Sequence, residues 1–391
     1  MAAYAAIWYP KTNTLGKRNI IVTTPFKLNQ YQYNVRMDHK IRDNLQFFGR
    51  FTNQHAAQIS PYSLPTNNNT LINSFVNSEA SLTWLVSPTT VVDFKSAYNR
   101  TNLQVADNDP APGAASFLQA HPIQGTPLKS TTVPLYPSLG IAGYTSPNQS
   151  GFPFPTNVWH ELASISMVRG KHSVRVGFEL KHMNNLDDGL FTSIFSFDQV
   201  PTADPENVSN TGSALASYLL GLPSSGLRNL GTTAAYMHQT NQNYYLQDDI
   251  KWTPKLTINL GLRYEYDQWP YEKYNHLSMF DFGSKRFVWA GQNPLTGQGP
   301  NIRRGIVDPD LNNFAPRAGL AYQLTPKTAI RSGFGVFYAA NYLWEIQGVR
   351  GSWPYAISET FSAQNVTLPD KPIETFMPTY ISPVPGTPAN A

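Results

Sequence analysis

Residues 172–182 read HSVRVGFELKH, and this stretch decides the fold. Apolar residues occupy every second position from Val174 to Leu180, so as a β-strand the segment has one apolar and one polar face. Residues 256–266, LTINLGLRYEY, repeat this alternation over a length that suits a tilted strand crossing a bilayer. Strands with two such different faces need two different solvents. The pattern therefore predicts a sheet that has lipid on one side and water on the other.

The composition of the chain is compatible with such a sheet. Of 391 residues, 13% are aromatic and 14% are charged, the mean hydropathy is −0.34, and no run of 18 apolar residues occurs. Helical membrane spans are excluded because each needs about 20 apolar residues. Barrel strands place an apolar residue outward only at every second position, so a polar average does not exclude them. The lack of Cys excludes disulfides and thiolate metal sites.

The charge distribution and the N-terminal residues bear on nucleic-acid binding and on export. The net charge is +4 with a pI near 9.0, but Lys and Arg are spread without a run of five, so no nucleic-acid partner is predicted. Residues 1–10 have no basic region before their short apolar stretch and no signal-peptide core. Because an exported protein needs a signal, we expect these residues to come from a longer chain.

The alternation recurs along the chain and predicts ten strands. They cover residues 31–38, 45–52, 76–86, 91–100, 158–168, 172–183, 236–252, 256–268, 315–324 and 328–338. Some stretches alternate less cleanly, and residues 236–252 break the pattern at Asp248, which falls in register with Leu246 and Ile250. Residues 213–221, SALASYLLG, predict a short helix with a Ser cap and a Gly stop, too short to span a bilayer.

The links between the strands alternate in length. Links within pairs are short, and three of them, at 87–89, 253–255 and 325–327, place Pro where it presets a tight turn, while 169–171 reads RGK. The links between pairs are long and cover residues 53–75, 101–157, 184–235 and 269–314, with a tail at 339–391. This alternation is typical of outer-membrane barrels, whose turns are periplasmic and whose loops are extracellular. We therefore expect the short turns, including one near 39–44, to lie at one end.

Several segments together resemble the paired barrel strands of Oar-like TonB-dependent transporters. They are YYLQDD at 244–249, WTP at 252–254, LTINLGLRYE at 256–265, RGKHS at 169–173, ASYLLG at 216–221, NFAPRAG at 313–319 and RSGFG at 331–335. The set covers about residues 30–340, and the resemblance implies an all-β, antiparallel membrane β-barrel in the bacterial outer membrane.

Barrels of this family have 22 strands around a plug domain and are driven by the TonB complex. The resemblance therefore implies that outer-membrane lipid, the plug domain, the TonB complex and an extracellular small molecule or oligosaccharide are partners. The sequence shows about half of the strands and no recognisable plug, so the isolated chain is not expected to transport. Residues 1–30 are interpreted as a linker or preceding barrel loop, 31–340 as a partial barrel, and 341–391 as a Pro-rich, truncated extracellular loop.

Two groups of side chains are candidates for contact with a solute. The charged residues of the polar strand faces are lumen-lining candidates, namely Arg175, Glu179, Lys181, Arg263, Glu265 and Arg331. The alternative for these is pairing across neighbouring strands and against a plug. The loop aromatics are ligand-contact candidates, namely Trp269, Tyr271, Tyr274, Trp289, Trp344 and Trp353. Aromatic belts and loop packing are the alternative for them.

Catalytic and metal chemistry find no support in the sequence. Asp308, Asp310 and Asn312 resemble the start of a Ca²⁺ loop, but Asn313 and Gly319 stand where Gly and Glu are required, so a polar turn is predicted. The eight His residues show no ligand spacing, and no nucleotide-binding or nucleophile motif occurs. The chain is predicted not to be an enzyme and to need no cofactor or metal.

The leading interpretation is part of a TonB-dependent receptor that binds a scarce solute, such as a carbohydrate or siderophore, and admits it to the periplasm. A passive porin, or an outer-membrane protein for adhesion or export, is the first alternative. A soluble all-β carbohydrate-binding or hydrolytic protein is the second, and it predicts one buried core instead of two-faced strands.

Overall fold

The computed structural model describes residues 25–61, 68–107, 114–126, 137–146, 151–188, 193–231, 234–293, 296–340, 355–363 and 371–379, with single residues 1, 3, 6, 21, 23, 343 and 353. Its main feature is an antiparallel sheet in which ten long strands pair with their neighbours in chain order, and the two-residue strand β12 (Tyr271–Glu272) pairs in addition with β10. The ten are β1 (Lys27–Arg42), β2 (Leu45–Pro61), β3 (Asn68–Ser87), β4 (Thr90–Asp107), β6 (Gly151–Arg169), β7 (His172–Asp188), β10 (Ala234–Thr253), β11 (Leu256–Asp267), β15 (Phe314–Thr325) and β16 (Thr328–Gly335). All ten predicted strands are thus confirmed, and β1 and β16 are the two edges of the sheet.

Five two-residue turns close the hairpins of this sheet, at 43–44, 88–89, 170–171, 254–255 and 326–327. Backbone hydrogen bonds join four of them to the next strand, such as Val168 N to Thr89 O and Lys251 N to Lys171 O, both 2.8 Å. All five turns therefore lie at one end, as predicted. Gly170 adopts a φ of +60°, a conformation that suits Gly.

The strands are longer than the alternation predicts, and here the sequence interpretation was wrong. Strands β2 and β3 run through most of the predicted loop 53–75, and β4 and β6 extend into 101–157. Residues 53–61 and 68–75 are largely polar on both faces, so they carry no period-two signal. Backbone pairing continues there without an apolar face, because strand hydrogen bonds do not require one.

The remaining elements lie in the long connections. They are α1 (Ala114–Ala120), β5 (Ser138–Ile141), β8 (Ile194–Phe197), a 3₁₀ turn (Val200–Thr202), α2 (Ala214–Leu220), β9 (Ser225–Gly231), β12 (Tyr271–Glu272), β13 (Ser278–Asp281), β14 (Arg286–Trp289) and β17 (Ala356–Ser362). The predicted helix is confirmed, since the Ser213 side chain accepts from Ala216 N and Gly221 ends the helix at a φ of +72°. Among the described residues, no helix is long and apolar enough to cross a bilayer.

The largest apolar core lies in these connections and not against the ten-stranded sheet. Strands β17, β9, β8 and β5 form a second sheet in that order, and Phe195, Phe197 and Tyr218 are buried beside it. Arg228 of β9 is 1% exposed, and its Nε donates to Glu359 Oε2 of β17 at 2.6 Å. Its Nη1 also donates to the carbonyls of Gly125 and Pro378. One buried guanidinium thus ties together segments that are far apart in the sequence.

The apolar face of the ten-stranded sheet is exposed. Large side chains on this face have relative exposures near one half, including Val176 (43%), Leu246 (51%) and Leu262 (47%). They are direct neighbours, because Leu246 is opposite both Val176 and Leu262. A continuous apolar surface of this kind needs a lipid or protein partner. The opposite face carries the polar residues of the same strands.

Asp248, which breaks the apolar pattern, has a partner near the turn end. Its Oδ2 lies 2.6 Å from Nδ1 of His172, the first residue of β7 after the turn. The carboxylate lies opposite Val174 and Leu260, and only 24% of its side chain is exposed. A carboxylate at the rim of the apolar face is therefore paired with the imidazole beside the turn.

The two faces of β7 should respond oppositely to a charge. In the complete protein that contains these residues, Val176→Lys should cost roughly 2–4 kcal/mol of folding free energy, because it places an ammonium in lipid. Arg175→Lys, one residue away on the polar face, should change it by less than about 0.5 kcal/mol. Reversible denaturant titrations in lipid vesicles measure both. A Val176→Lys variant as stable as the parent would contradict the assignment of this face to lipid.

Gly177 provides a second test, of packing on the polar face. A Cβ at this position would lie 2.6 Å from the ring of Tyr245 and 2.8 Å from the carbonyl oxygen of Ala163. Gly177→Ala should therefore destabilise the sheet by about 1–3 kcal/mol through overpacking. Gly261→Ala is the matched control, since a Cβ there meets nothing closer than 3.7 Å. Equal stability of the two variants in the same titration would show that Tyr245 does not pack over Gly177.

Candidate functional site

A cluster of charged side chains lies on the polar face of the sheet and centres on Glu179. His160 Nε2 lies 2.7 Å from Glu179 Oε1, and Arg263 Nη2 donates to Glu179 Oε2 at 3.2 Å. Lys181 Nζ is 3.9 Å from Oε1 of the same carboxylate. Arg263 Nε also donates to Glu265 Oε1 at 2.6 Å. Four of the six predicted lumen-lining residues are thus brought together.

The strand register explains how these residues meet. Glu179 of β7 is opposite Leu162 of β6 and Asn243 of β10, so His160 lies one diagonal step away. Arg263 comes from β11 and reaches across β10, where its direct partner is Tyr245. The side chains of Glu179, Arg263 and Glu265 are 18%, 25% and 13% exposed. This partial burial shields the ion pairs from water.

The other two predicted lumen-lining residues lie apart from the cluster. Arg175 is on the same face nearer the turns, and its Nε donates to Ser166 Oγ at 3.1 Å. Arg331 lies in the edge strand β16, opposite Ala321, and is exposed. His160 is a cluster member that sequence reasoning missed. Its position on the polar face of β6 follows from the alternation, but only the register shows that it faces Glu179.

Three predicted ligand-contact aromatics follow the outer end of β11 and lie beside the outer end of β10. The Tyr271 ring stacks on His238, with centroids 5.6 Å apart and planes at 19°, and Arg304 Cζ lies 4.3 Å from the Tyr271 centroid. Tyr274 makes an edge contact with Tyr236 at 5.6 Å. Trp269 packs on a small buried cluster around Met237 and Leu277. All three side chains therefore make packing contacts within the protein.

Two further aromatics lie at the hairpin of β13 and β14, since Trp289 ends β14 and Trp353 packs against this strand. Trp289 Nε1 donates to the Gln298 carbonyl at 3.2 Å. Trp353 is 38% exposed, and its ring lies 4.9 Å from that of Phe287. Both present part of an indole to solvent at the loop end of the sheet. Trp344, the last predicted aromatic, lies outside the described residues.

Two groups in these outer segments have shifted pKa values. In the β13–β14 turn, the Asp281 carboxylate accepts from the Ser284 hydroxyl and from the backbone N–H of Gly283, and these bonds hold its pKa below the usual range. Burial raises the pKa of Tyr355, whose hydroxyl donates to the Gln292 carbonyl at 3.2 Å. Both shifts follow from local structure.

A cavity of about 410 Å³ opens beside Trp269 and Tyr271. Arg303, Arg304 and Tyr266 also line it. Asp308, the first residue of the Ca²⁺-like stretch, pairs with Arg303 at 2.9 Å. Within the described ranges, no three His, Asp or Glu side chains are grouped as a metal site would need.

Comparison with known proteins identifies the architecture. The family model described as "Outer membrane beta barrel domain" matches residues 1–391. Among solved structures, the outer membrane transporter YddB from Escherichia coli is similar with a TM-score of 0.52 and 10% identity, over 87% of this chain and 36% of that one. The copper transporter OprC has a TM-score of 0.44 at 8% identity, over 80% and 37%. None of the curated proteins matches this chain in sequence.

The chain thus spans about a third of the length of each of these two transporters. At such low identity the similarity to YddB concerns the fold alone.

The Glu179 cluster should stabilise the sheet more than an isolated ion pair on the same face does. Glu179→Gln should destabilise the complete protein by about 1–3 kcal/mol, because it leaves Arg263 and His160 without their shared carboxylate. Glu79→Gln, on the same face, removes the ion pair between Glu79 and Arg50 (3.2 Å). It should lower the free energy of unfolding by less than Glu179→Gln does. Denaturant titration in lipid vesicles compares the two. A larger loss for Glu79→Gln would show that the cluster does not stabilise the sheet.

Proposed function

The chain belongs to the outer membrane beta barrel domain family, and on that premise we propose that it forms part of the barrel of a TonB-dependent receptor. Membership of this family places it in the bacterial outer membrane, which excludes the soluble alternative. The receptor binds a scarce solute outside the cell and passes it to the periplasm. A plug domain and the TonB complex are its partners in the complete protein.

The observation that carries this proposal is the unequal construction of the two ends of the sheet. Among the described residues, five two-residue turns lie at one end, whereas the other end bears a second sheet, the short helices α1 and α2 and a hairpin. A pore that only sieves solutes by diameter does not require so much folded structure outside the membrane. Binding residues in such proteins typically lie on loops held by a rigid scaffold.

The polar face supports the same proposal. Arg175, Glu179, Lys181, Arg263, Glu265 and Arg331 are proposed to line the lumen. Within the cluster, the two carboxylates of Glu179 and Glu265 balance the two cations of Lys181 and Arg263, so this part of the wall presents a hydrogen-bonding surface with little net charge. Such a wall suits contact with a polar plug or passage of a polar solute.

The loop indoles suggest the solute class. Trp289 and Trp353 keep part of their rings exposed at the outer end, and an exposed aromatic face can stack on a sugar ring or an aromatic chelator. A carbohydrate or a siderophore is therefore the proposed solute, with Tyr274 and Trp344 as further contact candidates. The exposed area of Trp353 makes it the first residue to test.

The test of this proposal is the energy dependence of uptake. The complete reading frame that encodes these residues is expressed in cells lacking their own transporters, and uptake of labelled maltodextrins and ferric siderophores is measured with and without TonB. We expect saturable uptake of one solute that is abolished without TonB, and at least a fivefold higher half-saturation concentration for Trp353→Ala. Uptake that rises linearly with concentration and persists without TonB would contradict the proposal and favour the passive porin.

A further inference from the structure

A carboxylate near the outer end of the polar face is buried without a partner. Asp267 is the last residue of β11, shares its side of the strand with Arg263 and Glu265, and is 8% exposed. None of the described residues donates a hydrogen bond to its carboxylate, and the nearest charges belong to the Glu179 cluster. In that cluster two cations already serve two carboxylates. Asp267 is therefore a third carboxylate that the wall itself leaves without a cation.

The residue directly opposite Asp267 also has an acceptor without a partner. Asn241 of β10 pairs with Asp267 in the strand register and is 5% exposed. Its Oδ1 is buried and has no hydrogen-bond partner within the described part of the chain. We call Asp267 and Asn241 the acceptor pair. Because buried polar groups in native proteins are nearly always hydrogen-bonded, two adjacent exceptions point to a ligand that donates to both.

The chain around the acceptor pair is fixed by hydrogen bonds. Gln268 N donates to Thr240 O at 3.3 Å, and Gln268 Oε1 accepts from Thr240 N at 3.1 Å. Gln239 Nε2 donates to the Gln268 carbonyl at 3.0 Å. These bonds hold β10 and β11 together immediately beyond the pair, so the two acceptors keep their separation. A rigid pair of acceptors binds a ligand with little loss of conformational freedom.

A donor and an aromatic ring lie beside the acceptor pair. Lys181 of β7 is opposite Asn241 on its other side, and its side chain is 35% exposed. Its ammonium makes only a 3.9 Å contact with a cluster carboxylate, so it can donate to a further acceptor. Trp269 follows Asp267 by two residues and packs on Met237, which is on the same side of β10 as Asn241. Acceptors, a donor and a partly exposed ring together match the hydroxyls and the apolar face of a sugar.

We propose that the acceptor pair binds adjacent hydroxyl groups of a neutral sugar. One hydroxyl donates to the Asp267 carboxylate and its neighbour donates to Asn241 Oδ1, while Lys181 donates to an oxygen of the same sugar. An anionic ferric siderophore would bring more negative charge to a carboxylate that already lacks a cation. A cationic solute would meet the Lys181 ammonium in the same row. The acceptor pair thus selects a neutral carbohydrate.

This inference rests on the proposed function, because a solute reaches the lumen wall only if the barrel admits one. It chooses between the two solute classes named above and assigns recognition to two residues of the wall. The two proposals fail separately, since binding to purified protein needs no TonB. Uptake that persists without TonB would contradict the proposed function and leave the acceptor pair intact.

The experiment measures oligosaccharide binding by calorimetry to the complete protein, purified in a detergent without a sugar headgroup. The neutral probes are maltoheptaose, cellohexaose and xylohexaose, and the anionic probe is hexagalacturonate. Asp267→Asn keeps the size of the side chain and removes its charge, and Asn241→Ala removes the second acceptor. Asp308→Asn is the matched control, because it makes the same change at a carboxylate that is 89% exposed.

We expect the parent to bind at least one neutral probe and to bind hexagalacturonate more weakly. Asp267→Asn should weaken the neutral probe about tenfold and Asn241→Ala about threefold, because a hydrogen bond to a charged acceptor is the stronger one. The control should stay within about twofold of the parent. In denaturant titration, Asp267→Asn should unfold at the same or a higher denaturant concentration, because its carboxylate has no partner to lose.

Three results would overturn the proposal. The first is the failure of every neutral probe to bind the parent, or tighter binding of hexagalacturonate. The second is unchanged binding by Asp267→Asn. The third is an Asp267→Asn variant that unfolds at a lower denaturant concentration, because the carboxylate would then stabilise the sheet instead of binding a solute.

Discussion

Within the hydrocarbon of a membrane, every backbone N–H and C=O must find its partner inside the protein, and the rest of this structure depends on that constraint. The ten long strands meet it by pairing each strand with its chain neighbours along nearly its whole length. The edge strands β1 and β16 are subject to the same demand, so in lipid they too must be paired. Short turns, uninterrupted ladders and a two-faced sheet follow from this requirement.

The distribution of apolar residues is the reverse of that in a soluble β protein. The sheet that contains most of the structure exposes its apolar face, while the largest buried core lies among Phe195, Phe197, Tyr218 and their neighbours in the connecting segments. The hydrophobic effect buries apolar side chains only in parts of a protein that are surrounded by water. The connections therefore fold around a core and the buried Arg228, which pairs with Glu359, whereas the sheet relies on hydrogen bonds and lipid.

The sequence could predict the strands and turns because lipid imposes a strict period of two and Pro marks three of the turns. It could not predict where β3 or β6 begins, since outside the membrane both faces are wet and the alternation disappears. Glu179, Lys181, Arg263 and Glu265 were found from their polar positions, but their meeting with His160 depends on the register between strands. Register is a long-range property, and no local pattern encodes it.

The two-residue turns also affect how such a sheet changes over evolutionary time. Because the ten long strands follow one another through the sheet in chain order, a hairpin is a module that can be added or removed as a unit. Duplicating or deleting one module would widen or narrow the circumference without rerouting any other segment. The long connections at the opposite end would keep their anchoring points. Pore diameter and ligand recognition are therefore separable traits in this architecture, and each can vary while the other is conserved.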